Sequence, residues 1–180
     1  MNKIFMTLIA AFLTILGTTT FTHAVTIQYT ASDLPDVDPN QDLWQYSYQV
    51  SDHNFSNGIG FNITFELGLY DSLSPVSAPG GWDVISWNPD PTIPDDGAYD
   101  AIAVTDNPPL DAPFVVQFVW LGSDPEPGSQ PFALYDSNNN WQTIETGNTV
   151  PSPVPLPSPL LFFVPGAAGL LWAKTKAKKG

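Results

Sequence analysis

Oxygen-bearing side chains recur at every second position in one short stretch: Asp36, Asp38, Asn40 and Asp42. Hard oxygen donors at that spacing suit calcium. The stretch departs from the helix-loop-helix calcium site, because Gln41 stands where the sixth loop position needs glycine and Ser47 stands where the terminal glutamate belongs. Calcium here would sit between strands. A second acidic segment, residues 90–100, holds Asp90, Asp95, Asp96 and Asp100 and has the same potential. Solvated turn aspartates are the plainer alternative for both. Other chemistry has fewer carriers. His53 is the one histidine of residues 25–150, and it lies in the turn-like SDHNFSNG. Zinc needs several His or Cys ligands, and the chain has no cysteine, which also excludes disulfides and thiol catalysis. Glu66, Glu126 and Glu145 are the only glutamates. Paired carboxylates for sugar hydrolysis are conceivable among so many acids, but spacing alone does not assemble them. Trp82 and Trp141 adjoin turns and are candidates for stacking on sugar rings. Trp44 and Trp120 lie inside alternating apolar runs and belong to a core.

These residues need a scaffold, and the scaffold reads as β. In WQYSYQV, Trp44, Tyr46, Tyr48 and Val50 fall on one face, with Gln45, Ser47 and Gln49 on the other. GFNITFEL repeats the pattern with Phe61, Ile63, Phe65 and Leu67. VTIQYT, GWDVISW, AYDAIAV, PFVVQFVW and PFALYD are further strand candidates, rich in β-branched and aromatic residues. Clusters of Pro, Gly, Asp and Asn punctuate them, among them DLPDVDPNQD, SLSPVSAPGG and NPDPTIPDDG. ALYDSNNNWQTIE reads as a hairpin, with positive φ tolerated between Ser137 and Asn140. The fold expected is all-β: an antiparallel two-sheet sandwich, Ig-like or jelly-roll-like, with an open barrel as the alternative. Residues 25–150 suffice for one such domain.

Charge separates this body from its ends. The chain carries 18 acids against 5 Lys plus Arg, for a net charge of -13. Every acid lies between Asp33 and Glu145, whereas the cations are Lys3, Lys174, Lys176, Lys178 and Lys179. An acidic body without Lys or Arg repels nucleic acid and anionic lipid. Residues 1–24 have one lysine, an apolar run from Ile4 to Leu16 and the small-residue ending Thr22-His23-Ala24. That order predicts a signal peptide cleaved after Ala24. Its apolar run is about 13 residues, short of the roughly 20 a spanning helix needs.

The other end is tripartite. Residues 151–158 form a linker in which alternate residues from Pro151 are proline. Residues 159–173 are uncharged and apolar, and as a helix they would reach about 22 Å, short of the roughly 30 Å hydrocarbon core. They predict a brief transmembrane helix, with Trp172 at the interface and the basic end, 174–180, in the cytoplasm. The motif Val154-Pro155-Leu156-Pro157, the helix with Gly166 and Gly169, and the lysine end together resemble the PEP-CTERM sorting signal of Gram-negative bacteria. Leu156 replaces that family's usual glutamate, and lysines replace its usual arginines. The resemblance implies that a membrane enzyme of the exosortase type recognises and cuts the tail. It also implies passage from the inner membrane to the cell surface or matrix, alongside extracellular polysaccharide. On this reading the protein is a structural or adhesive client and not an enzyme, with polysaccharide and calcium as its possible ligands. The alternative is a secreted carbohydrate-active hydrolase.

Overall fold

The computed structural model describes residues 24–153. The predicted leader through His23, the sorting motif Val154, Pro155, Leu156 and Pro157, the apolar segment 159–173 and the basic end lie outside the described residues. Among the described residues no helix is long and apolar enough to cross a membrane.

The described chain is all-β. Its strands are β1 (Thr26–Asp33), β2 (Asp42–Ser51), β3 (Ile59–Phe65), β4 (Tyr70–Ser77), β5 (Trp82–Trp87), β6 (Gly97–Ala103), β7 (Phe114–Trp120), β8 (Pro131–Asp136), β9 (Gln142–Asn148) and β10 (Val150–Pro151). They form two five-stranded sheets, in the orders β10-β1-β2-β7-β4 and β5-β6-β3-β8-β9. All pairings are antiparallel except β1 with β10. One hydrophobic core draws on both sheets, as in a sandwich.

Alternation decides which side chains enter that core. Trp44, Tyr46, Tyr48 and Val50 of β2 are buried, as are Phe61, Ile63 and Phe65 of β3. The two sheets meet through rings. Phe61 meets Phe114 edge-on at 5.0 Å, Phe65 meets Phe118 at 5.8 Å, and Trp82 meets Phe114 at 5.0 Å. Tyr46 stacks on Phe118 at 4.9 Å and lies 5.4 Å from Tyr48. Its hydroxyl donates to the Gly128 carbonyl at 2.6 Å and lies 3.3 Å from the Tyr70 hydroxyl. Tyr48 likewise donates to the buried Gln130 side chain. The core is thus aromatic, with the Tyr46 and Tyr48 hydroxyls bonded, while the buried Tyr99 hydroxyl and Gln130 Nε2 have no partner among the described residues.

Three expectations need correction. SLSPVS, read as a breaker, is largely strand: β4 runs through Pro75. β4 pairs only with β7 and shifts register around Pro75, and an edge strand with bulges is where proline fits a sheet. The linker does not begin at residue 151. β10 includes Pro151, and Ser152 N donates to Tyr29 O at 2.8 Å. Pro151 takes an edge position, where its missing N–H leaves no ladder bond unmade. Leu67, placed at the end of a strand face, lies beyond β3 and is only half-buried.

The core makes a graded prediction. Tyr46→Phe keeps the ring but removes the hydroxyl bonds, and should cost about 1–2 kcal/mol. Phe118→Ala leaves a cavity between the sheets and should cost about 3–5 kcal/mol. Urea unfolding checks both, with the slope expected to stay unchanged.

Candidate functional site

The outer face of the second sheet gathers the polar and aromatic groups that alternation keeps out of the core. One row across the strands runs Ile85, Asp100, Asn62, Ala133 and Thr146. The neighbouring row runs Asp83, Ile102, Gly60, Tyr135 and Thr143. Ile85 and Trp87 stand exposed on β5.

Tyr135 organises this face. Leu134 is fully buried, so its successor on β8 must point outward. The Tyr135 ring lies across Gly60 on the adjacent strand. A Cβ on Gly60 would stand 2.5 Å from both Cζ and Oη of Tyr135. The missing side chain lets the ring cross β3, and the hydroxyl donates to Asp100 Oδ1 on β6 at 2.8 Å. Trp141 packs against Tyr135 with ring centres 5.2 Å apart and planes tilted by 38°. It is nevertheless 64% exposed.

The hairpin that carries Trp141 is fixed, not loose. A short 3-10 turn, Ser137–Asn139, links β8 to β9, and Asp136 caps it by accepting from Asn138 N. Ser137 donates to Gly58 O through both N and Oγ, at 2.9 and 2.8 Å. Asn138 Nδ2 donates to Asn57 O at 2.9 Å. Asn140 and Trp141 both adopt left-handed backbone, with φ of 52° and 59°. Asparagine tolerates that conformation, whereas for a bulky residue it costs about 1–2 kcal/mol. Strain held at an exposed aromatic residue is a mark of functional positions.

The acids here are coupled. Burial raises the Asp100 pKa, the Tyr135 hydrogen bond pulls it back, and the charge of Asp83 raises it again. The Tyr135 phenol is pushed far up by its burial, by its bond to Asp100 and by that residue's charge.

The residues expected to do chemistry fare differently. Asp36 Oδ1 accepts from Leu43 N at 3.0 Å, and Asp42 Oδ1 accepts from the Trp44 indole at 2.8 Å. Asp38 O accepts from Gln41 N at 3.0 Å. Asp36 therefore closes the β1–β2 loop, in which Asn40 sits exposed, and Asp42 holds the Trp44 indole within β2. In the second acidic segment, Asp90 accepts from Thr92 N and Oγ1, which holds its carboxyl below the usual range. Asp96 accepts from Leu67 N at 2.8 Å. Asp100 is not in that loop but within β6. Among the described residues no group of three or more His, Cys, Asp or Glu is gathered to hold a metal ion.

Trp82 requires correction as a stacking candidate. It is 9% exposed, with its rings against Phe55, Phe61 and Phe114 and its indole donating to Pro109 O at 3.2 Å. A turn-adjacent residue is not exposed when alternation points it inward. Trp141 is exposed as expected, and Trp44 and Trp120 are buried as expected. His53 packs edge-on against Phe55 at 4.6 Å, and burial lowers its pKa against a pull upward from Glu145. The three glutamates do not converge. Glu66 borders a cleft with Trp120 and Asp124, Glu126 borders another with Tyr29, and Glu145 bonds Val25 N. Sequence reasoning missed the Tyr135–Asp100 pair. The signal was the alternation of GAYDAIA, in which Tyr99 and Ala101 turn inward and Asp100 outward.

No protein-family model matches the chain, and no curated protein matches it.

Because the folded state holds Asp100 above its ordinary pKa, it binds more protons than the unfolded chain across that interval. This contribution to stability is present at acid pH and is lost as pH rises from about 4 through the raised value. Asp100→Asn keeps an oxygen for Tyr135 and removes the titration. Melting curves between pH 4 and 7 should show the wild type losing stability relative to the variant as pH rises. Parallel curves would contradict the assignment.

Proposed function

We propose that the protein is an exported component of the bacterial cell envelope or extracellular matrix that binds polysaccharide through the outer face of its second sheet. The observation that carries this reading is the exposed Trp141, strained yet pinned, packed beside Tyr135. An aromatic platform supplies an apolar face for a sugar ring, and Asn62, Asp100 and Asp83, on the strands beyond Tyr135, supply hydrogen-bonding groups across the same sheet. The net charge of -13 favours neutral or amino-bearing glycans over acidic ones. Nucleic acid is disfavoured on the same ground.

Delivery is the second half of the proposal. The leader, the VPLP motif and the short apolar tail support export, transient anchoring in the inner membrane and processing by an exosortase-type enzyme. Connections from β2 to β3, β3 to β4 and β6 to β7 change sheet, which supports an Ig-like or jelly-roll-like sandwich. Calcium at Asp36, Asp38, Asn40 and Asp42 is a subsidiary proposal, supported by the oxygen spacing. The alternative, a hydrolase, draws on one observation: Asp100 carries a raised pKa beside Asp83, and split carboxylate pairs serve glycoside hydrolysis.

The exported protein should be retained by an insoluble neutral polysaccharide, without release of reducing ends. Trp141→Gly, which also relieves the left-handed strain, should weaken retention roughly 3- to 10-fold while leaving the fold intact. Sugar release abolished by Asp100→Asn would favour the hydrolase, and retention lost only with a chelator would favour the calcium proposal. For the tail, replacing Pro155 and Pro157 with alanine should abolish loss of the lysine end, read by intact mass. Normal processing of that variant would argue against the sorting role.

A further inference from the structure

Val25 occupies a corner where the two sheets meet. Its side chain is 5% exposed and belongs to the core. Its backbone nitrogen donates to Glu145 Oε2 at 3.3 Å, across 120 residues of sequence. β1, which follows Val25, is in the first sheet, and β9, which carries Glu145, is in the second. Glu145 is half-buried. Residues 25–150 contain neither Lys nor Arg, so no permanent cation within the body can answer this carboxylate.

We infer that Glu145 is the binding site for the α-ammonium group created at Val25 when residues 1–24 are removed, so that leader cleavage adds an ion pair between the sheets. The inference rests on the export reading, with cleavage after Ala24. In the uncut chain the nitrogen is a peptide amide with one hydrogen and no charge. Hydrolysis of the Ala24–Val25 bond adds water across it, leaving a carboxylate on Ala24 and an amine on Val25 that takes up a proton. The same nitrogen then has three donors and a positive charge, and charge-assisted bonds are roughly twice as strong as neutral ones. Exposed ion pairs gain little because two long side chains must be ordered. Here one partner is backbone already fixed by a buried side chain, and partial burial limits screening by salt. The body thus tightens as it matures.

The register of β2 with β1, Thr26 opposite Ser51, brings Asp52 beside this corner, and His53 is electrostatically coupled to Glu145. Among the described residues, Asp52, His53 and Glu145 are thus the titratable groups that these contacts bring to the amine. Two carboxylates raise its pKa, and a charged His53 would oppose them. The stabilisation is present below the ordinary α-amine range and is lost as pH rises through the raised value.

The full chain, exported through its own leader, provides the test. Mass spectrometry reads its first residue, and acylation of the α-amine across pH gives its titration midpoint. The expected product begins at Val25, with a midpoint above the ordinary range of about 7.7–8.0. Glu145→Gln should return the midpoint to that range and lower the melting temperature by about 3–5 °C. If that variant does not fold, the wild-type product decides: acetylation of the amine should lower its melting temperature, and dimethylation, which keeps the charge, should not. A chain that begins at Val25 with an ordinary midpoint overturns the ion pair and leaves export standing. A chain that begins elsewhere overturns the ion pair and the cleavage after Ala24, and one that still begins at Met1 overturns the cleaved leader as a whole.

Discussion

Ring packing between the sheets is the constraint on which everything else depends. With no cysteine the chain has no covalent tie, and the sandwich holds through Tyr46, Phe61, Phe65, Phe114 and Phe118, all buried. Edge-on and offset pairs of this kind add about 0.5–1.5 kcal/mol each beyond the area they bury. Tyrosine tips complicate such a core. Residues 128–130 meet two of them: Gly128 O accepts from Tyr46, and the side chain of Gln130, whose backbone N donates to Thr149 Oγ1 at 2.9 Å, accepts from Tyr48. The segment before β8 is therefore part of the core's hydrogen bonding.

That constraint reaches the outer face. A strand that turns Phe132 and Leu134 into the core must turn Ala133 and Tyr135 to the other face, where Tyr135 is still only 7% exposed, because a slip of one residue would exchange the faces. The orientation of Tyr135 is thus set from within. Gly60 gives the ring its path, and the tie from Ser137 and Asn138 to residues 57–58 sets the hairpin that presents Trp141. The core thus fixes the orientation of this aromatic pair.

Much of the scaffold was legible because a half-buried strand writes its two faces into alternate letters. The faces of β2 and β3 and the β8–β9 hairpin follow from this. So does the exposure of Trp141, which stands at a hairpin tip. Trp82 misled because it follows a Pro-Gly-Gly turn, and nearness to a turn says nothing about which way the first strand residue points. Pro75 misled because proline breaks central strands but not edges, and edge status is a property of the assembled sheet. Asp100 belongs both to the acidic segment 90–100 and to the strand candidate AYDAIAV, and the inward turn of its neighbours Tyr99 and Ala101 decides for the strand. The role of Gly60 lay beyond sequence reasoning, since the ring that crosses it belongs to a residue 75 positions away, brought there by the β3–β8 register. Glu145 and Val25 were invisible as a pair for the same reason.

The central claim is that the second sheet's outer face receives a glycan ring on Trp141. Nuclear magnetic resonance of the exported protein, titrated with oligosaccharides of a neutral polysaccharide, tests it directly. The account predicts that the Trp141 indole resonance shifts with saturation, together with amides of Asn62, Asp100 and Tyr135, while the buried indoles of Trp44, Trp82 and Trp120 stay in place. Saturable shifts confined to the first sheet, or none at Trp141 with a glycan the protein retains, would contradict it.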